Sequence, residues 1–99
     1  MQTIVIHNGT KDPGAVGNDA LIMRNGKPIA GLRGAEMTDG IIYGSPLFHH
    51  WGHREMLAHQ FRLNRPIDIE IRHPRFGTMT GKFRVVSCEA NELSFKQVD

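Results

Sequence analysis

The sequence predicts a mainly β domain, an antiparallel β-sandwich or barrel with one flanking α-helix. Three observations carry that expectation. Ile67, Ile69 and Ile71 alternate with Asp68, Glu70 and Arg72, the period-two pattern of a half-buried strand. Asn25-Gly26 lies between two short apolar runs, a strong short-range hairpin signal. Residues 45–64 form the one segment with apolar residues at helical spacing.

Thr3–His7 (TIVIH) reads as a first strand on its β-branched content. Asn8–Asp19 follows, and its Asn-Gly, Asp-Pro and three glycines mark an extended loop, because Gly permits positive φ and Pro fixes φ. Such a stretch exceeds a tight hairpin, and long loops in small domains tend to be functional or mobile. Leu21–Met23 and Pro28–Leu32 are the arms of a hairpin around a type I′ turn at Asn25-Gly26. Pro28 lacks an N–H, so its strand should start there or lie at an edge. Short extended pieces follow, broken at Gly34, Gly40 and Gly44.

Ser45 and Pro46 suit the N-cap and first position of a helix. Leu47, Trp51, Ala58 and Phe61 can share one helical face, with Leu57 beside them. Gly52 weakens the front half, so a firm helix is expected from about His53 to Arg62. Trp51, the sole tryptophan, is expected on the core face, with an interface anchor as the second reading. Beyond the isoleucine strand, PRFGTMTG turns, and Met79, Phe83 and Val85 resume the alternation with Lys82 and Arg84 opposite. EANE turns again, and LSFKQV closes the meander with Leu93 and Phe95 inward.

The length of 99 residues fits one domain over residues 1–99, with an extended loop at residues 8–19. A hydrophobic content of 39% and a charged content of 22% are those of a globular chain, which argues against disorder. The net charge is only +2. Nucleic-acid modules concentrate more Lys and Arg on one face, so direct nucleic-acid binding is disfavoured. No apolar run is long enough to cross a bilayer. MQTIVIHNGT lacks the basic and long apolar regions of a secretory signal. A soluble, unprocessed chain with no membrane partner is expected. Cys88 is the single cysteine, which fits a reducing compartment and a small buried hydrophobe in a strand.

Four of the six histidines fall within HHWGHREMLAH. His49 and His53 are four apart, so on a helix they would share a face and are weak candidates for holding zinc or nickel. A metal site normally needs a third or fourth ligand, and HExxH is absent because Arg54 follows His53. The expectation is therefore no metal. The histidines read as polar helix surface, or as part of an interface whose strength varies with pH. Cys88 has no nucleophile signature around it, and Ser45 and Ser87 lack a G-x-S-x-G elbow. GTKDPG lacks the order of a phosphate-binding loop. No catalytic residue and no cofactor is expected. Arg72, Arg75, Lys82 and Arg84 cluster around one hairpin, beside Phe76 and Phe83. Stacking platforms need exposed aromatics between the cations, whereas a solvated or subunit-facing strand face accounts for the charges alone.

Leu21–Thr38 (LIMRNGKPIAGLRGAEMT) resembles the early strand–turn–strand of phage tail-tube proteins, which carry an AGLRS-like segment at that place. Ile67–Asp99 resembles their closing meander: an amphipathic strand, a Gly-containing turn, TGK with a β-run, and a final strand. Together the stretches cover roughly half the chain. The resemblance implies a β-sandwich or barrel with one helix, subunits that assemble into rings, and an extended loop that reaches a neighbour. The expected subunit contacts are Asn8, Lys11, Asp12, Gly14 and Asn18 in the loop, and Arg72, Arg75, Lys82 and Arg84 on the strands. The short length and the His-rich centre widen the expectation to neck, tail-completion, baseplate and capsid-decoration proteins.

Elementary physics adds that a small domain of short strands must cover its edges, which ring assembly can do. The expected protein is a non-enzymatic virion subunit, assembled in the host cytoplasm, with copies of itself and other virion proteins as partners. The alternatives are a small phage-encoded inhibitor that binds a host protein, and a metalloenzyme using His49–His59.

Overall fold

The computed structural model describes residues 19–98. The expected strand at residues 3–7, and the loop candidates Asn8, Lys11, Asp12, Gly14 and Asn18, lie outside the described residues. Six strands and one helix follow in order: β1 (Ala20–Arg24), β2 (Lys27–Thr38), β3 (Ile41–Phe48), α1 (Trp51–Leu63), β4 (Pro66–His73), β5 (Gly77–Cys88) and β6 (Leu93–Val98).

The strands close into an antiparallel barrel in the order β1-β2-β3-β6-β5-β4, with β4 pairing back to β1. Of the two expected architectures the barrel is the one formed. Every described strand has a hydrogen-bonded neighbour on each side, and closure of this kind removes edges. The expectation that a neighbouring subunit must cover bare strand edges is therefore revised.

Two tight turns fix the register of the first three strands. Arg24 pairs with Lys27 across Asn25 (φ 54°) and Gly26 (φ 78°). Thr38 pairs with Ile41 across Asp39 (φ 55°) and Gly40 (φ 78°). Positive φ at both central residues is the type I′ signature, which matches the twist of the flanking strands. Gly34 and Gly44 do not break their strands as expected; β2 and β3 run through them. Pro28 is the second residue of β2 and precedes its first pair with β3, at Ala30, so it lies at the strand start with its β3 side unpaired, close to expectation.

Ser45 and Pro46 lie in β3, not at the start of the helix. Pro46 pairs with Leu32 of β2, while pairing with β6 stops at Gly44. Its missing N–H is thus needed on neither side. The helix N-cap is His50, whose Nδ1 accepts a hydrogen bond from the Gly52 N–H at 3.0 Å. The helix ends at Asn64 in the left-handed region (φ 55°), with Asn64 N–H donating to Phe61 O at 3.1 Å and Arg65 N–H to Gln60 O at 3.0 Å. These two bonds satisfy carbonyls that the last turn leaves open.

Alternating strand direction sorts the connections between the two mouths of the barrel. One mouth carries the Asn25 turn, α1 and the Glu89–Glu92 turn. The far mouth carries the Asp39 turn, the Pro74–Phe76 turn, the start of β1 and the end of β6. β3 and β4 are opposite each other in the ring, so α1 must cross the first mouth to join them. Leu57 enters the core there, fully buried with Ile22, Leu32, Ile42, Ile71, Phe83, Leu93 and Phe95. Phe83 and Phe95 meet edge to face, with centroids 6.5 Å apart and planes at 86°, a favoured aromatic geometry. Ile67, Ile69 and Ile71 point inward as expected.

Candidate interaction surface

The inward stripe of α1 is His53, Met56, Leu57 and Gln60, residues three and four apart that share a helix side. Of the apolar residues expected toward the core, Leu57 is buried and Ala58 half-buried, but the three largest others are exposed. Trp51 is 71% exposed and Phe61 42%. Leu47, in β3 and not in the helix, is 59% exposed. The core-anchor expectation for Trp51 is therefore corrected: Leu57 fills the mouth, and Trp51 lies roughly 120° around the helix from it at 3.6 residues per turn. Leu63, at the end of α1, and Val86, in β5, are exposed as well. Of these side chains Trp51 is the largest and the most exposed, and tryptophan is a residue type that interfaces favour.

The histidines border this region but are not arranged as expected. His49 precedes the helix, so it and His53 do not share a helical face. His50 is occupied as the N-cap; its ring stacks on Trp51 at 6.4 Å and meets His53 edge-on at 5.9 Å. Among the described residues His53 Nδ1 is buried without a hydrogen-bond partner, a situation that costs about 1–3 kcal/mol. Among the described residues, no group of three or more His, Cys, Asp or Glu is placed to hold a metal ion.

The four cations of the β4–β5 hairpin, Arg75 in its turn and the others in its strands, are reached by solvent, and three have carboxylate partners of their own. Arg72 pairs with Glu70, Arg75 with Glu36 at 3.1 Å, and Lys82 with Asp68 at 3.3 Å. Arg75 also lies over the Phe76 ring at 4.9 Å. Such exposed pairs contribute about 0–1 kcal/mol, so they can exchange partners at low cost. Arg84 differs: it forms no ion pair among the described residues, and it stands directly opposite Lys96 in the β5–β6 register. Like charges opposite each other disfavour pairing, and the two cations together suit an acidic group on a partner.

Cys88 is half-buried. Burial pushes its thiol pKa up; Arg54 and Arg62 pull it down and Glu55 raises it. Ser87 Oγ donates to Glu92 Oε2 at 2.9 Å and lies 2.6 Å from Ser94 Oγ. This network satisfies the buried Ser94 hydroxyl beside the β5–β6 turn.

A second cluster, at the far mouth, is one that sequence reasoning missed. The β2–β3 register jumps from Arg33↔Ser45 to Glu36↔Tyr43, which leaves Gly34 and Ala35 in a bulge. Two side chains take their backbone groups. Gly34 N–H donates to Asp19 Oδ1 at 3.1 Å, and the Ala35 carbonyl accepts from His73 Nε2 at 3.0 Å. His73 Nδ1 accepts from the Arg75 and Phe76 N–H groups at 3.0 and 3.2 Å. With two donors aimed at Nδ1, the proton must sit on Nε2. The ring is 3% exposed and packs on Phe76 at 4.3 Å. Burial lowers the His73 pKa; the Ala35 carbonyl raises it, Arg75 lowers it, and Glu36 and Asp19 raise it. A signal for this site was present, since residue 73 shares the inward parity of residues 67, 69 and 71.

Gly44 makes the bulge possible. A Cβ there would stand 2.7 Å from the Arg33 carbonyl oxygen and 3.2 Å from Ala35 Cα, closer than side chains come.

Comparison of the chain with protein-family models, with curated proteins and with solved structures finds no match.

Proposed function

We propose that this chain is a non-enzymatic structural subunit of a phage particle, forming a ring with copies of itself and contacting other virion proteins. The observation that carries the reading is Trp51, which stands 71% exposed on the helix that crosses one mouth of the barrel. Interfaces are enriched in Trp and Arg side chains set within a polar rim, and here Arg54 and Glu55, three and four residues on from the tryptophan, are exposed. The closed barrel supplies rigidity, and docking proceeds through side chains. Asn8–Asp19 and the faces bearing Arg72, Arg75, Lys82 and Arg84 complete the proposed contacts. The product is a virion component assembled in the host cytoplasm.

The test is whether the protein is found in purified particles, paired with native mass spectrometry of the isolated chain and its Trp51→Ala variant. Presence in particles, with incorporation lost in the variant, supports the proposal. Absence from particles overturns it, whatever the mass of the isolated chain.

A second reading is favoured by the closed barrel, which has no strand edge to share and suits a self-contained module. In that reading Trp51 anchors a single host protein, which the chain inhibits. A tight one-to-one complex with a host protein, together with absence from particles, selects it.

A further inference from the structure

We infer that His73 is an acid-sensitive clasp that holds the far mouth of the barrel closed. The inference is independent of the proposed function. Three chain segments meet at this one ring. Nε2–H donates to the bulge of β2, and Nδ1 accepts from two consecutive N–H groups of the β4–β5 turn. The same bulge is tied to the residue before β1 by the Asp19 carboxylate. Removing the ring from its place therefore loosens the bulge, the turn and the start of β1 together.

The ring can hold this position only when it is neutral. A proton from solvent would add to the Nδ1 lone pair. That lone pair is the acceptor for the Arg75 and Phe76 N–H groups, and the new N–H would point at two donors. Both amides would lose their acceptor in a buried place. The charged groups around the ring do not rescue it. Arg75, from the turn, opposes the added charge. Glu36, from β2, favours it but is engaged by Arg75 at 3.1 Å. Asp19, ahead of β1, also favours it but accepts from Gly34 N–H. The imidazolium is better accommodated in water, so acid selects the state in which the turn Pro74–Phe76 has swung away and the Ala35 carbonyl is released.

The opening is local. Leu57 and the side chains around it, at the other mouth, make no contact that this proton breaks. Because the open ring has the ordinary pKa of 6.5 and the closed ring a lower one, the opening constant rises by up to about tenfold per pH unit between those values.

Amide hydrogen exchange of Arg75 and Phe76, corrected for intrinsic rates, tests this between pH 7.5 and 5.0. Protection should fall in the wild type once pH drops below 6.5, by at most about tenfold per pH unit, and stay flat in His73→Gln, which cannot titrate. Unchanged protection in the wild type, or an equal fall in the variant, overturns the clasp. If the variant does not fold, imidazole nitrogen shifts of the wild type decide instead. A neutral Nε2–H ring at pH 7 with a midpoint below 6.5 supports the inference. An Nδ1–H ring, or a midpoint at or above that value, overturns it.

Discussion

Leu57 and Trp51 lie six residues apart on α1, and one is fully buried while the other is 71% exposed. The helix therefore buries Leu57 fully, with Met56 packed on the same core, and keeps its tryptophan outside. Leu57→Ala should destabilise the isolated chain by about 2–5 kcal/mol, the range for a buried leucine whose site cannot collapse. Trp51→Ala should change it by less than about 0.5 kcal/mol, as exposed substitutions do. Urea unfolding of the two variants checks the contrast. Iodide should also quench the intrinsic fluorescence readily before assembly.

Gly44→Ala should be severe, at about 2 kcal/mol or more, because the added carbon meets backbone and not a movable side-chain tip. Gly34→Ala has open space around it but a φ of +62°, so its cost should be smaller, about 1 kcal/mol. Thermal unfolding midpoints of both variants should keep that order.

Stability should fall with acid through His73. Its folded pKa lies below the ordinary 6.5, so the unfolded chain binds the proton more readily. The contribution is complete above that value and is lost as pH drops from there toward the folded pKa. Urea midpoints from pH 7.5 to 5.0 should show the slope, and His73→Gln should remove that part of it.

Cys88 should react slowly with a thiol reagent at neutral pH. Burial raises its pKa above the ordinary value, so the thiolate, the reactive form, is scarce. A rate equal to that of the denatured chain would contradict the half-buried placement.

Arg84→Glu should leave the fold intact and raise its stability by about 0.2–1 kcal/mol, because it turns the like-charged pair with Lys96 into an attractive one. The same change should weaken incorporation into particles if this face meets an acidic partner.

What the sequence reveals here depends on how local the deciding forces are. Ile67, Ile69 and Ile71 were legible because strand parity is fixed by backbone geometry, and Asn25-Gly26 because its turn chemistry is local. Ser45-Pro46 misled because its capping pattern is only a local preference. Pairing with β2 extends β3 through both residues, and that partner is distant in sequence. Trp51 misled because helical spacing identifies an apolar side without saying which side meets the core. The His73 cluster lay hidden because Asp19, Gly34, Ala35 and His73 come together only after a bulge shifts the register.

The antiparallel circuit sends residues 19 and 98 out through the mouth away from α1. A linker joined after residue 98 would thus hold the barrel by its base. A protein immobilised this way displays its tryptophan toward solution, so capture experiments can fix its orientation without touching the surface they are meant to probe.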